Sequence, residues 1–197
     1  MTEKEKMQHQ MLYDANYNPA LAEERQKAKD LCHTYNYQIL PSDLAAQEQL
    51  IKQLLGKTSE QFQIVAPFWC DYGYNIQIGE NFFANHNTVI LDCAKVTFGN
   101  NVFVAPNCGF YTAGHPIDAK RRNQGLEYAY PITVGDNVWI GGGVQVMPGV
   151  TIGSNVVIGS GSVVVKDIPD NSVAVGNPCK VIRQITDADE LTNWDRG

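Results

Sequence analysis

The stretch ITVGDNVWIGGGVQVMPGVTIGSNVVIGSGSVV, residues 132–164, decides the fold. The position just before the recurrent turn is filled by Val134, Ile140, Val146, Ile152, Ile158 and Val164. Two residues earlier stand Ile132, Val138, Val144, Val150, Val156 and Ser162, so eleven of these twelve are β-branched aliphatics. Apolar residues separated by one position point to the same side of a strand. The intervening four residues, rich in Gly and Asn, suit a sharp corner. A strict period of six is the signature of a solenoid in which three short sides close each coil. Stacked coils would bury a continuous column of Ile and Val. An antiparallel sandwich of short strands does not keep such a step over six consecutive units.

The period extends backward through Phe110, Val104 and Phe98, with Cys108, Val102 and Val96 two residues earlier. After a slip of two residues, Ile90, Ala84, Ile78, Tyr72 and Ala66 continue it. With Val175 this predicts fifteen strands, or about five coils. One break stands out: Phe110 and Val134 are four steps of the repeat apart instead of one. An extra coil would place Pro116, Arg122 and Tyr128, with Gly114, Lys120 and Leu126, in the core. Those residues cannot line one, so 113–131 is expected as a loop thrown outward, a common place for function on a rigid scaffold.

Residues 1–57 read as a helical segment, 58–184 as the solenoid and 185–197 as a tail. Asn18-Pro19 opens a helix whose apolar face is Leu21, Ala28, Leu31, Cys32 and Tyr35. A second helix follows Pro41, with Ser42 as cap, Leu44, Ile51, Leu54 and Leu55 as its stripe, and Gly56 as its stop. A short helix is expected around Met7 to Tyr13. Net charge −6 argues against nucleic acid or an anionic membrane as partner. No apolar run approaches the ~18 residues of a membrane span, and no signal peptide is visible. Five cysteines without a CxxC pair suit a reducing cytoplasm.

The repeats, the segment TAGHP at 112–116, the ending VGNPCKVIR at 175–183 and the opening YDANYNPAL at 13–21 together resemble the maltose and galactoside O-acetyltransferases, a branch of the hexapeptide-repeat acyltransferases. The resemblance covers nearly the whole chain. It implies a left-handed parallel β-helix, a homotrimer, and acetyl-CoA bound in clefts between subunits, with a sugar hydroxyl as acceptor.

Acetyl transfer to a hydroxyl needs a base, an oxyanion donor and alignment of two substrates. His115 sits at the root of the outward loop, and imidazole suits proton transfer near neutral pH. On sequence alone a surface loop histidine is an equal reading; the resemblance makes it the general base. The resemblance also assigns Asn85 to the acceptor or the tetrahedral intermediate, and Asp71 and Phe83 to the acceptor. Galactoside-specific relatives carry serine where Asp71 stands, which favours a maltose-type acceptor. Cys93 replaces an acidic contact, with Asp92 adjacent. Asp14 and Asn16 fall where relatives touch the sugar. Glu127 is a candidate for orienting the imidazole, or a solvated loop carboxylate. The resemblance makes the Gly142 amide the oxyanion donor, with Gly141 and Gly143 allowing close approach. Trp139 is an outward aromatic that invites a ligand or a subunit. Ser160 and Val165 match contacts to the pantetheine arm, and Lys166, Lys180 and Arg183 offer cations to the phosphates of coenzyme A. His9, His33 and His86 are weaker candidates.

Other functions fit less well. A zinc carbonic anhydrase on this solenoid needs a histidine cluster, and the repeats hold only His86 and His115, so no metal site is expected. A non-enzymatic binding solenoid needs a threonine ladder, which Thr88, Thr97, Thr133 and Thr151 are not expected to form. A non-sugar acceptor, such as an antibiotic, serine or a nucleotide sugar, stays open. There is no phosphate-binding glycine motif of the Walker or GxGxxG kind.

Overall fold

In the computed structural model, which describes residues 1–190, the repeat coils into a parallel β-helix with three flat faces. The tail expected at 185–197 lies partly outside the described residues. Face one stacks Ile76–Gln77, Val96–Phe98, Ile132–Val134 and Thr151–Ile152, with bridges from Lys57 below and Ile168 above. Face two stacks Phe62–Ile64, Phe82–Ala84, Val102–Val104, Val138–Ile140, Val156–Ile158 and Ser172–Val175. Face three stacks Phe68–Cys70, Thr88–Leu91, Gly109–Tyr111, Gln145–Val146 and Val163–Val164. Face two alone holds six parallel strands, so the stack is about six turns high rather than five. The inward residues alternate with outward ones along each strand, and the inward Val, Ile and Phe are almost wholly buried.

Coil length varies while register holds. Gly109 lies directly above Val89, Val157 above Trp139 and Val173 above Val157, and the coils that join these pairs shorten toward the top of the stack. Gln145 sits on Gly109 although the chain between them is twice as long as an ordinary coil, the excess being the excursion. Because the excursion leaves the phase intact, Thr97, Thr133 and Thr151 do stand in register on the outside of face one, contrary to the expectation of no ladder; Thr88 is buried on face three. A second two-residue slip lies below Ile78. Cys70 and Ile64, not Tyr72 and Ala66, fill the inward positions there. Tyr72 instead joins a smaller core with Met7, Tyr13, Leu21, Cys93 and Ala129.

Asparagines make the corner between faces one and two. Asn81, Asn101, Asn137, Asn155 and Asn171 all take left-handed φ between 53° and 56°. This conformation is tolerated by Asn far better than by branched residues. Their side chains form a ladder, with Asn81 Nδ2 donating to Asn101 Oδ1 (2.9 Å) and Asn101 Nδ2 to Asn137 Oδ1 (3.1 Å). At the corner between faces two and three, Asn87 and Asn107 give way to Gly143 and Gly161 in the same conformation.

Helix α1 (Glu3–Gln8) starts earlier than expected because Thr2 and Glu5 form a capping box. The chain then forms a short strand, Tyr13–Asp14. Helix α2 (Pro19–Tyr37) is capped by Asn18, which accepts from the Leu21 N–H at 3.1 Å. Helix α3 (Leu44–Leu54) is capped by Asp43 rather than Ser42. Gly56 is not a left-handed stop; it permits close approach, since a Cβ there would collide with the Tyr74 carbonyl oxygen. α2 and α3 pack on the lowest coil and join its core.

The lowest strands would otherwise expose unpaired backbone groups. Asn36 on α2 answers one of them as a strand would. Its Oδ1 accepts from the Phe68 N–H (2.8 Å) and its Nδ2 donates to the Phe68 carbonyl (2.9 Å). Tyr35 donates its hydroxyl to the Ile64 carbonyl. Asn36→Ala is expected to lower unfolding free energy by about 1–3 kcal/mol, read by denaturant melts, because it strands both groups of Phe68.

Candidate active site

The excursion is not a bare loop. It contains the strands Ala113–Gly114 and Leu126–Ala129, with the short helix α4 (Ala119–Arg122) between them. Leu126–Ala129 is the centre of a three-stranded antiparallel sheet, flanked by Ala113–Gly114 and by the N-terminal strand Tyr13–Asp14. The register sets Tyr13 opposite Glu127 and Gly114 opposite Tyr128. This small sheet stands at the corner between faces three and one and presents His115.

The His115 ring is held at Nδ1, 3.0 Å from the Leu126 carbonyl oxygen. A carbonyl only accepts, so Nδ1 carries the proton and Nε2 keeps its lone pair. Nε2 lies 3.6 Å from Glu127 Oε1, while Glu127 Oε2 accepts from the Tyr13 hydroxyl at 3.1 Å. Burial pushes the Glu127 carboxyl above the usual range; the Tyr13 hydroxyl and His115 pull it partly back. The imidazole opens onto a cleft of about 380 Å³ lined by Asp71, Leu91, Tyr111, Glu127 and Met147. Burial also raises Asp71, against the lowering effect of the Cys93 thiol, which donates to Asp71 Oδ2 at 3.5 Å. A base beside two partly desolvated carboxylates suits a ligand that donates several hydroxyl hydrogen bonds.

Other candidates make hydrogen bonds within the chain. Asp92 is completely buried and does not face the cleft. Its Oδ1 accepts from the N–H of Asp71 (3.0 Å) and Tyr72 (2.8 Å), and its Oδ2 from Asn75 (3.3 Å). It therefore shapes the corner that carries Asp71 rather than touching an acceptor. Cys93 is likewise buried behind Asp71 and meets the cleft only through that carboxylate. Asp14 Oδ1 accepts from the Tyr17 N–H (2.9 Å), and Asn16 donates to the Gly125 carbonyl (2.9 Å), tying the N-terminal turn to the excursion.

A second group of candidates occupies the corner between faces two and three. Asn85 Oδ1 accepts from the His86 N–H at 2.8 Å. Gly142 is open to approach: a Cβ there would meet only the Pro106 carbonyl oxygen, at 3.5 Å. Among the described residues no acceptor faces the Gly142 N–H. Ser160 is exposed on the coil above. Outward on face two, Phe83, Phe103 and Trp139 stack in register, with Phe103 43% and Trp139 56% exposed. Val165, Lys166 and Lys180 are exposed near the upper end. Arg183 departs from the expectation of a free cation, since its guanidinium forms a bidentate pair with Asp189 at 2.7 and 2.8 Å. That pair and the Thr186 N–H hold the Asp189 carboxyl down at about 2. Of the weaker histidines, His9 and His86 bind backbone carbonyls and His33 packs against Tyr37.

Residues 6–59 match the family model described as the maltose acetyltransferase hexapeptide capping motif, and 131–166 match the bacterial transferase hexapeptide model of six repeats. A putative acetyltransferase of Saccharomyces cerevisiae is 61% identical over 181 residues, 92% of each chain. The chain belongs to the hexapeptide-repeat acetyltransferases. A maltose O-acetyltransferase from Clostridium difficile superposes with a TM-score of 0.92 at 52% identity, covering 95% of this chain and 99% of that one. A galactoside acetyltransferase in complex with coenzyme A gives 0.94 at 42%, covering 100% and 97%.

Sequence reasoning missed Tyr13, Tyr111 and Met147. Tyr111 and Met147 directly follow inward residues at the corner of the excursion and were legible as outward positions. Nothing in the sequence links Tyr13 to Glu127, which lies at the far end of the excursion.

Burial lifts Asp92 from its unfolded value to about 6. Its protonation therefore supports the fold fully below the unfolded value, and that support is lost as pH rises through about 6. Asp92→Ala of this acetyltransferase is expected to lose about 2–4 kcal/mol in thermal melts near neutral pH, because it orphans up to three backbone N–H groups. The same change should flatten the pH dependence of stability between the unfolded value and about 6.

Proposed function

We propose that this acetyltransferase moves the acetyl group of acetyl-CoA to a hydroxyl of a simple sugar of the maltose, glucose or galactoside class. The observation that carries the reading is an imidazole whose Nδ1 proton is committed to a carbonyl, leaving Nε2 as a base beside Glu127 in a carboxylate-lined cleft. Nε2 takes the proton of the acceptor hydroxyl as that oxygen attacks the acyl carbon. The Glu127 carboxylate steadies the imidazolium, which returns its proton to the departing thiolate. Asp71 accepts hydrogen bonds from neighbouring sugar hydroxyls. The Gly142 N–H donates to the developing oxyanion, an interaction whose counterparts are worth about 2.7–4 kcal/mol. A base of this kind contributes roughly 10²–10⁴ in rate.

The Phe103–Trp139 stripe, the unengaged Gly142 N–H and the exposed Lys166 and Lys180 fit the pantetheine arm and phosphates of coenzyme A. The base and the Gly142–Asn85 group occupy different corners of one chain. A working site therefore needs the corner of a second copy, which supports a homotrimer with clefts between subunits. All five cysteines are free and buried, which favours a reducing compartment such as the cytoplasm. Among the described residues no helix is long and apolar enough to cross a membrane.

His115→Ala is expected to cut acetyl transfer by at least about a hundredfold, with coenzyme A binding and assembly unchanged. Thiol release from acetyl-CoA is expected with maltose, glucose or galactosides and not with chloramphenicol or serine. Near-normal turnover of the variant removes His115 as base; turnover with the non-sugars alone removes the sugar reading.

A further inference from the structure

We infer that Tyr13 is a positioning residue for acetyl transfer: its hydroxyl holds one oxygen of Glu127 and so fixes the plane of the carboxylate, with the other oxygen facing the base nitrogen of His115. The inference rests on the reading of His115 as general base.

Tyr13 is completely buried, and a buried hydroxyl is almost always placed against a partner. The strand register sets it directly opposite Glu127, and its hydroxyl donates to Oε2 at 3.1 Å. The strand itself is pinned, since Glu3 on α1 accepts from the Asp14 N–H at 2.6 Å. The terminal torsion of a glutamate is soft and nearly two-fold, so a carboxylate held at neither oxygen would rock. Tyr13 removes that freedom.

The surroundings leave this work to Tyr13. The titratable groups facing Glu127 are Tyr13, His115, Asp71 and Arg25; Cys93 and Tyr72 face Tyr13. Arg25 donates to the Tyr72 hydroxyl (2.7 Å) and the Ala15 carbonyl (2.6 Å) and acts on Glu127 through its charge alone. The Cys93 thiol donates to Asp71. Among the described residues Tyr13 is thus the side chain that donates a hydrogen bond to Glu127. That bond also opposes the burial that drives Glu127 toward its neutral form. A neutral Glu127 would turn its proton onto the Nε2 lone pair and occupy the base. The N-terminal cap therefore does more than close the solenoid: it reaches the chemistry through one hydroxyl.

The test is Tyr13→Phe in the full chain, which deletes a single oxygen, followed by steady-state acetyl transfer across pH. The acid limb of kcat/KM should move to higher pH by about one unit, the size that one hydrogen bond to a carboxylate carries. At neutral pH kcat should fall about tenfold while KM for acetyl-CoA stays within about twofold. In a Glu127→Gln background the same change should cost less than about twofold, because the target of the hydroxyl is gone. An unmoved acid limb, or an equal loss in both backgrounds, makes Tyr13 purely structural and overturns the inference. Retained turnover in His115→Ala would instead defeat the base reading itself, so the two failures are told apart.

Discussion

Every feature of this molecule depends on parallel stacking in register. Each coil lies on the one below, so within the solenoid a residue at a corner meets residues in the same column or on the adjoining faces. Coils are free to differ in length, and one of them admits an excursion as long as a whole turn, because only the phase of the inward positions must survive. Burial of each inward Val or Ile is worth about 1.5–3 kcal/mol, and a slip of one residue would turn a whole strand outward. The same rigidity that holds the core assigns chemistry to columns. The imidazole and its carboxylates stand on one corner, and the open Gly142 amide and Asn85 stand on another.

At the imidazole corner, stability and chemistry draw on the same groups. Burial raises Asp71, Asp92 and Glu127 alike, and at each a hydrogen-bond donor opposes it: the Cys93 thiol, the Tyr72 N–H and the Tyr13 hydroxyl. Asp92 is enclosed and carries the backbone turn that presents Asp71. Glu127 is steadied from the N-terminal strand and Asp71 by a thiol. The capping segment and the excursion are thus built into one another, through the three-stranded sheet and the small core around Tyr13, Tyr72 and Cys93.

The solenoid was legible because eleven of twelve inward positions in 132–164 share one side-chain type at one period. The excursion was legible for the converse reason, since its in-phase residues cannot enter a core. His115, Glu127 and Asp71 line one cleft; the resemblance pointed to His115 and Asp71, while Glu127 was a candidate only by its place in the excursion. The second slip was not legible, because it depends on Asp92 accepting up to three backbone N–H groups around a corner, which leaves no mark on hydrophobic spacing. That hidden turn misplaced Tyr72 and Ala66; Asp92 and Cys93 came from the resemblance, which carries no information on how deeply this chain buries them. The pairing of Arg183 with Asp189 and of Tyr13 with Glu127 arises from chain reversal, beyond the reach of a linear reading.

In the proposed site the base on one corner works with the amide corner of another copy. Co-expressing His115→Ala chains with Asn85→Ala chains under separate tags and isolating the mixed oligomers tests this directly. If sites form between copies, one pairing of corners restores both residues, and the isolated mixed trimers should recover activity at about a third of their sites, far above either parent. Mixed oligomers no more active than the parents would contradict the account.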